Sequence, residues 1–209
     1  IWIQMNWIKW GHAQLLSDQG FEVFMLDFRV HGESEAPQEA EAYPKNVLVR
    51  DVASLIDHLS LDDYDLGGFS LGARTALHAV AHGVLQPARL IAGGMGTAGL
   101  GEWARRSAFF KRVIDDFESI PRGDPAYFSM QFLKSQGVDR EAARLLLGSM
   151  DNLDLAELAI VVPDAAFADA LRTVARHLAA FTARDAHTAA EREAAAELSA
   201  LVGTSQRAT

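Results

Sequence analysis

Cysteine is absent from the 209 residues, so there is no disulfide framework, no thiolate nucleophile and no Cys-ligated zinc or iron–sulfur centre. No apolar run approaches the roughly 18 residues that a membrane span requires. The start shows no basic stretch followed by an apolar core and a small-residue cleavage site, so no signal peptide is read and a cytoplasmic chain is expected. The first residue is Ile1 rather than Met, which suggests that this numbering begins inside a longer reading frame. Basic residues are outnumbered, 19 Lys and Arg against 28 Asp and Glu, for a formal charge of −9. An acidic surface repels phosphate backbones and anionic headgroups, which argues against nucleic-acid and membrane-surface partners. There is no internal repeat, and no Pro/Gly/Ser-rich linker divides the chain, so one domain over residues 1–209 is expected.

What is present suits an ordinary globular core, with 49% apolar and 22% charged residues. Up to about residue 98, short β-type runs alternate with helical patterns. The runs are Phe21–Met25, Tyr64–Gly68 and Arg89–Ala92, and the helical stretches include Val47–Leu59 and Leu71–His82. Such alternation predicts an α/β fold, a mostly parallel sheet with helices on both faces. Residues from about 99 to 150 are helix-rich and aromatic, with Trp103, Phe109, Phe110, Phe117, Tyr127, Phe128 and Phe132. They suit either an insertion packed through its aromatic side or a cap over a pocket mouth. From Ile160 onward there are 16 Ala and a single Gly, and helices are predicted over 165–180 and 188–202.

The sharpest chemical signal is Gly68-Phe69-Ser70-Leu71-Gly72. A G-x-S-x-G pattern is short, but this one follows a β-type run and opens a helical one. Strand, tight turn and helix are the setting in which the motif has a mechanism. The turn lifts the Ser70 hydroxyl above the sheet edge, and glycines two before and two after leave room for it. The free N–H groups of the following helix then face that oxygen, and the Leu71 N–H can bind a developing oxyanion. The plainer reading is a glycine-rich turn with an incidental serine.

Other clusters weigh less. Asp151, Asp154 and Glu157 lack the turn glycine of a cation loop and suit a solvated helix start. Gly93-Gly94-Met95-Gly96 lacks phosphate-loop spacing and is read as a strand-end turn near Ser70.

With these stretches in order, the chain resembles the α/β-hydrolase family in its serine ester-hydrolase branch. Gly20–Val23 through Asp27-Phe28-Arg29-Val30-His31-Gly32-Glu33-Ser34 resembles that family's strand and following loop. Val30 stands where glycine is common, so the loop backbone is expected to differ slightly there. Val49–Asp51 through Asp57–Leu59 resembles the next helix, Gly68–Gly72 the nucleophile elbow, and Arg89–Ile91 the next strand. The likeness covers about residues 6–98. Asn6–Trp10 resembles the helix after the family's His-Gly oxyanion loop, with Gly11-His12 lying inside that helix pattern, and no His-Gly pair precedes it.

The resemblance implies a triad in the chain order Ser, Asp or Glu, His. His187 is the favoured base, with His177 as runner-up, and Asp164 is the favoured acid, with Asp169 as runner-up. His12, His31 and His58 precede the elbow, and His78 and His82 are read as a surface pair. The implied activity is hydrolysis of a small or medium uncharged carboxylic ester through an acyl-enzyme, with no metal or organic cofactor. Serine at the elbow, rather than aspartate, argues against epoxide hydrolysis or dehalogenation. The alternatives are a thioesterase, acyltransferase, C–C hydrolase or perhydrolase, or a catalytically impaired hydrolase-like binding protein. Oligomeric state is not legible.

Overall fold

Two of the three β-type runs find partners. In the computed structural model, which describes residues 3–95 and 97–153, β1 (Asp65–Phe69) and β2 (Arg89–Gly93) pair in parallel. Asp65 stands opposite Arg89 and Phe69 opposite Gly93, and the first pair also makes an ion pair at 3.6 Å. Parallel pairing needs a crossover, and α3 (Leu71–Ala81) supplies it. Its sheet-side residues are small: Ala73 and Ala79 are fully buried and Ala76 nearly so, which lets the helix lie close.

Helix α2 (Val47–His58) carries apolar residues at helical spacing. Val49 joins Ala79 and Leu85 in one apolar cluster, flanked by Ile56 of α2 and Leu66 of β1. The sequence, α2 to β1 to α3 to β2, is therefore an α/β unit folded about its own core.

Phe21–Met25 corrects the sequence reading. The segment has no regular structure and joins no ladder among the described residues, and Phe21 and Phe24 each remain 45% exposed. A strand exists only when a neighbour takes up its N–H and C=O groups, and the described residues bring none alongside. A second correction concerns the start. The expected helix breaks at Gly11, whose φ of 74 separates a π-turn (Gln4–Ile8) from α1 (His12–Asp18).

The rest is helical: α4 (Thr97–Gly101), α5 (Trp103–Asp115), α6 (Tyr127–Ser135) and α7 (Arg140–Gly148). Helix α7 starts cleanly because the Asp139 carboxylate accepts from the Ala142 N–H at 2.9 Å. Two cores organise this segment. Val113, Ile120, Ala126 and Met130 gather Phe109, Phe117 and Tyr127 around themselves. Trp103, Ala142, Leu146 and Met150 instead join Phe28, Val30, Tyr43, Val47 and Leu48, tying the helical segment to the first half. Phe128 departs from the pattern and is 82% exposed. Contacts divide the chain at Ile160, and all described residues belong to the first unit, Ile1–Ala159. Among the described residues, no helix is long and apolar enough to cross a membrane.

Candidate active site

The elbow forms where the sequence places it. Ser70 sits between β1 and α3 with φ 53 and ψ −112, a region that L-residues rarely occupy. Such a conformation costs roughly 1–3 kcal/mol and persists only where surrounding contacts impose it. Those contacts are visible. The Ser70 N–H donates to the Gly93 carbonyl at 2.8 Å, and its carbonyl accepts from the Arg74 N–H at 3.0 Å. A side chain at Gly68 would collide with the carbonyl of Gly72 and lie 2.5 Å from the Ala73 nitrogen, so position 68 admits only glycine. At Gly94, φ is 66 and a Cβ would meet the Phe69 ring at 2.6 Å, which reserves the neighbouring turn for glycine as well.

Serine at a helix N-cap ordinarily caps the helix by accepting from an N–H two or three residues on. Ser70 occupies that position yet makes no such bond. Its half-buried hydroxyl is therefore not spent on the helix. The Leu71 N–H has no acceptor among the described residues, and it stands at the positive end of an 11-residue helix. This arrangement can place an oxygen that attacks beside an N–H that stabilises negative charge.

The loop before α2 is held by charge. Arg29 donates from Nε and Nη2 to the two oxygens of Asp51, at 2.7 and 2.6 Å, and also bonds the Ala42 carbonyl. Hydrogen bonding to Asp51 raises the Arg29 pKa further. Val30 has φ 72, so the valine lies within the left-handed region that favours glycine, and its buried side chain is held there by the apolar core. His31 places Nδ1 2.9 Å from the Arg29 carbonyl, and burial lowers its pKa to about 4.

His78 and His82 stack at 4.2 Å with an interplanar angle of 6°. The expectation of a surface pair fails for one of them. His82 is exposed, whereas His78 is 4% exposed, because the helix turns that face inward. Burial lowers the His78 pKa to about 4, with the charges of His82 and Arg74 acting in the same direction.

His187, His177, Asp164 and Asp169 lie outside the described residues, as do Asp154 and Glu157 of the weighed cation cluster. Among the described residues, no group of three or more metal-ligating side chains could hold an ion. A cavity of about 570 Å³ lies in the helical segment, lined by Glu102, Arg106, Phe109, Phe110 and Ser129, and does not include Ser70. Arg74, and its pairing with the Trp103 already noted among the aromatics, escaped the sequence reading. Arg74 and Trp103 are buried beside one another, the guanidinium carbon 4.3 Å over the indole. The available signal was the place of Arg74 in the helix that the elbow opens, one turn after Ser70.

Known proteins match parts of the chain. The chain is 34% identical over 71 residues to "Epoxide hydrolase 2" of Siraitia grosvenorii, covering 34% of this chain and 22% of that protein. It is 32% identical over 84 residues to "N-formylmaleamate deformylase" of Pseudomonas putida, covering 40% and 31%. It is also 39% identical over 67 residues to "Probable alcohol acetyltransferase" of Cyberlindnera fabianii, covering 32% and 18%. The matched stretches thus span less than a third of each of these relatives. No solved structure matches significantly. A family model described as alpha/beta hydrolase fold matches residues 5–136, which include the elbow, both strands and helices α1 to α6. Well over half of the sequence lies within that match, and the chain belongs to the alpha/beta hydrolase fold family.

Proposed function

We propose that the chain is a serine hydrolase that cleaves a small or medium carboxylic ester. The observation that carries this reading is Ser70 itself, held at φ 53 and ψ −112 with its hydroxyl withheld from capping. Strain of this kind has no structural benefit when the residue is serine, so its retention points to chemistry. In the reaction, the Ser70 oxygen attacks the acyl carbon while the base, His187, takes its proton. Asp164 orients the imidazole and stabilises its charged form, and the Leu71 N–H receives the negative charge that builds on the carbonyl oxygen. Collapse of the intermediate expels the alcohol, which receives the proton from His187. Water then attacks the acyl-serine by the same steps in reverse, releasing the acid and restoring the hydroxyl.

Relatives named for epoxide hydrolysis, acetyl transfer and deformylation leave several reactions open on this scaffold. Serine narrows them. An epoxide opened by a serine oxygen would leave an alkyl ether that water does not cleave, whereas an acyl-serine is an ester that water can hydrolyse. Acyl transfer and amide cleavage share that intermediate and differ in the group that arrives or leaves.

A fluorophosphonate probe and a panel of p-nitrophenyl esters test the reading. The expected result is labelling of the wild type, none of Ser70→Ala, and ester turnover abolished by the same substitution. Equal labelling of both proteins, or saturable ester binding with no turnover, would overturn it.

A further inference from the structure

Arg74 heads the large side chains that are fully buried among the described residues, at 2% exposure. It lies on α3 one turn beyond Ser70. Its backbone N–H bonds the Ser70 carbonyl at 3.0 Å, so its Cα stands one helical turn from the elbow. The Trp103 ring covers its face at 4.3 Å. Its edge is another matter. Nε and Nη2 are both buried and neither has a hydrogen-bond partner among the described residues, and the indole Nε1 of Trp103 shares that condition. Three buried donors therefore lie together without an acceptor. Burial lowers the Arg74 pKa to about 10, against the opposing charge of Asp151. Asp151 itself is engaged elsewhere, with its oxygen 2.7 Å from Lys45 Nζ.

The molecule shows what this edge accepts. At Arg29, Nε and Nη2 point in parallel at the two oxygens of the Asp51 carboxylate, at 2.7 and 2.6 Å. The pairing is planar and bidentate, and it fits a carboxylate better than a single-point acceptor. Arg74 presents the corresponding edge to no side chain among the described residues, and leaving a buried cation without a counter-charge is costly.

We propose that the Nε–Nη2 edge of Arg74, with the Trp103 indole N–H beside it, binds a carboxylate carried by the substrate. The substrate class is then a monoester of a short dicarboxylic acid. One end of the acid pairs with Arg74 while the ester carbonyl reaches Ser70, and the single helical turn of about 5.4 Å between the two backbone positions favours a short diacid. This departs from the uncharged ester that the sequence alone suggests, and it rests on Ser70 as the nucleophile. Because Trp103 seals the guanidinium, entry of the carboxylate requires the first turn of α5 to move aside.

The test compares p-nitrophenyl butyrate with mono-p-nitrophenyl glutarate in the wild type, Arg74→Met, Arg74→Lys and Trp103→Phe. Glutarate binding to Ser70→Ala and to Ser70→Ala/Arg74→Met is measured by calorimetry. The wild type should prefer the glutarate ester in kcat/KM. Arg74→Met should reduce that preference about 10- to 100-fold, mainly through KM, as expected for loss of charged hydrogen bonds. Arg74→Lys keeps the charge but not the fork and should recover only part of it. Trp103→Phe keeps an aromatic face, though a smaller one, deletes the N–H and should weaken the preference to a smaller degree. If Arg74→Met fails to fold, the Lys and Phe variants decide. Glutarate should bind Ser70→Ala and not the double variant. An unchanged preference in folded variants, or glutarate binding indifferent to Arg74, overturns the proposal. Should the wild type hydrolyse neither ester while glutarate still binds through Arg74, the carboxylate site stands and the nucleophile assignment falls. Should Ser70 hydrolyse the butyrate ester with no preference for glutarate, the reverse holds.

Discussion

Gly68 and Gly72 meet backbone to backbone across the elbow, so that a methyl group on Gly68 would strike the Gly72 carbonyl and lie 2.5 Å from the Ala73 nitrogen. The atoms in its way are main chain at the start of α3, which cannot turn aside as a side-chain tip can. Gly68→Ala therefore has to displace β1 or unwind the first turn of α3. The expected cost is about 1–3 kcal/mol, in line with overpacked interiors. Ester turnover should fall further than stability does, because the same displacement moves Ser70 and the Leu71 N–H together. Urea unfolding alongside p-nitrophenyl ester kinetics checks both.

Strain at Ser70 predicts opposite outcomes for two small substitutions. Glycine accepts φ 53 without penalty and alanine does not. Ser70→Gly should release about 1–3 kcal/mol of strain and give back about 0.5–1 kcal/mol through the freer unfolded chain, for a net gain of about 1 kcal/mol. Ser70→Ala keeps the strain and should melt close to the wild type, since no hydrogen bond of the hydroxyl is seen among the described residues. Both should lose turnover. Thermal melts of the three proteins decide, and a Ser70→Gly variant no more stable than Ser70→Ala would refute the account.

Local pattern made the elbow, β1, β2, α2 and α3 legible, because each is specified by residues adjacent in sequence. Gly68, Gly72 and the apolar run before them are enough to foresee the turn. Phe21–Met25 shows the limit: its apolar residues record a β tendency, but a ladder needs a neighbour that no local pattern can supply. His78 and Arg74 show another. A histidine or arginine within a helix ordinarily faces water, and only tertiary packing, here Trp103 laid over Arg74, turns that face inward. His187 and Asp164 were inferred from chain order within the family, and they lie outside the described residues.

Two ion pairs of different burial should respond unequally. Arg29 and Asp51 are about three-quarters buried and joined by two parallel bonds, whereas Lys45 is 73% exposed where it meets Asp151. Asp51→Ala leaves Arg29 partly buried without its partner and should cost about 1–3 kcal/mol. Lys45→Ala removes an exposed charge and should stay within about 0.5 kcal/mol of the wild type. Denaturant midpoints in low and high salt give the check, with salt affecting the Lys45 pair more.

Acid sensitivity should trace in part to His78. Burial holds its folded pKa at about 4, below the ordinary 6.5, so the folded state favours the neutral ring. Above pH 6.5 both states are neutral and the full stability is present. As pH falls from 6.5 toward 4 the unfolded chain takes up a proton that the folded chain refuses, and stability declines across that window. His82 and Arg74 face the ring with charges that oppose its protonation, and Asp151 counteracts them only in part. Melting temperature measured from pH 7.5 to 4 should therefore fall in wild type, with a shallower fall in His78→Leu, whose side chain cannot titrate. Identical slopes in the two proteins would assign the acid response to other groups.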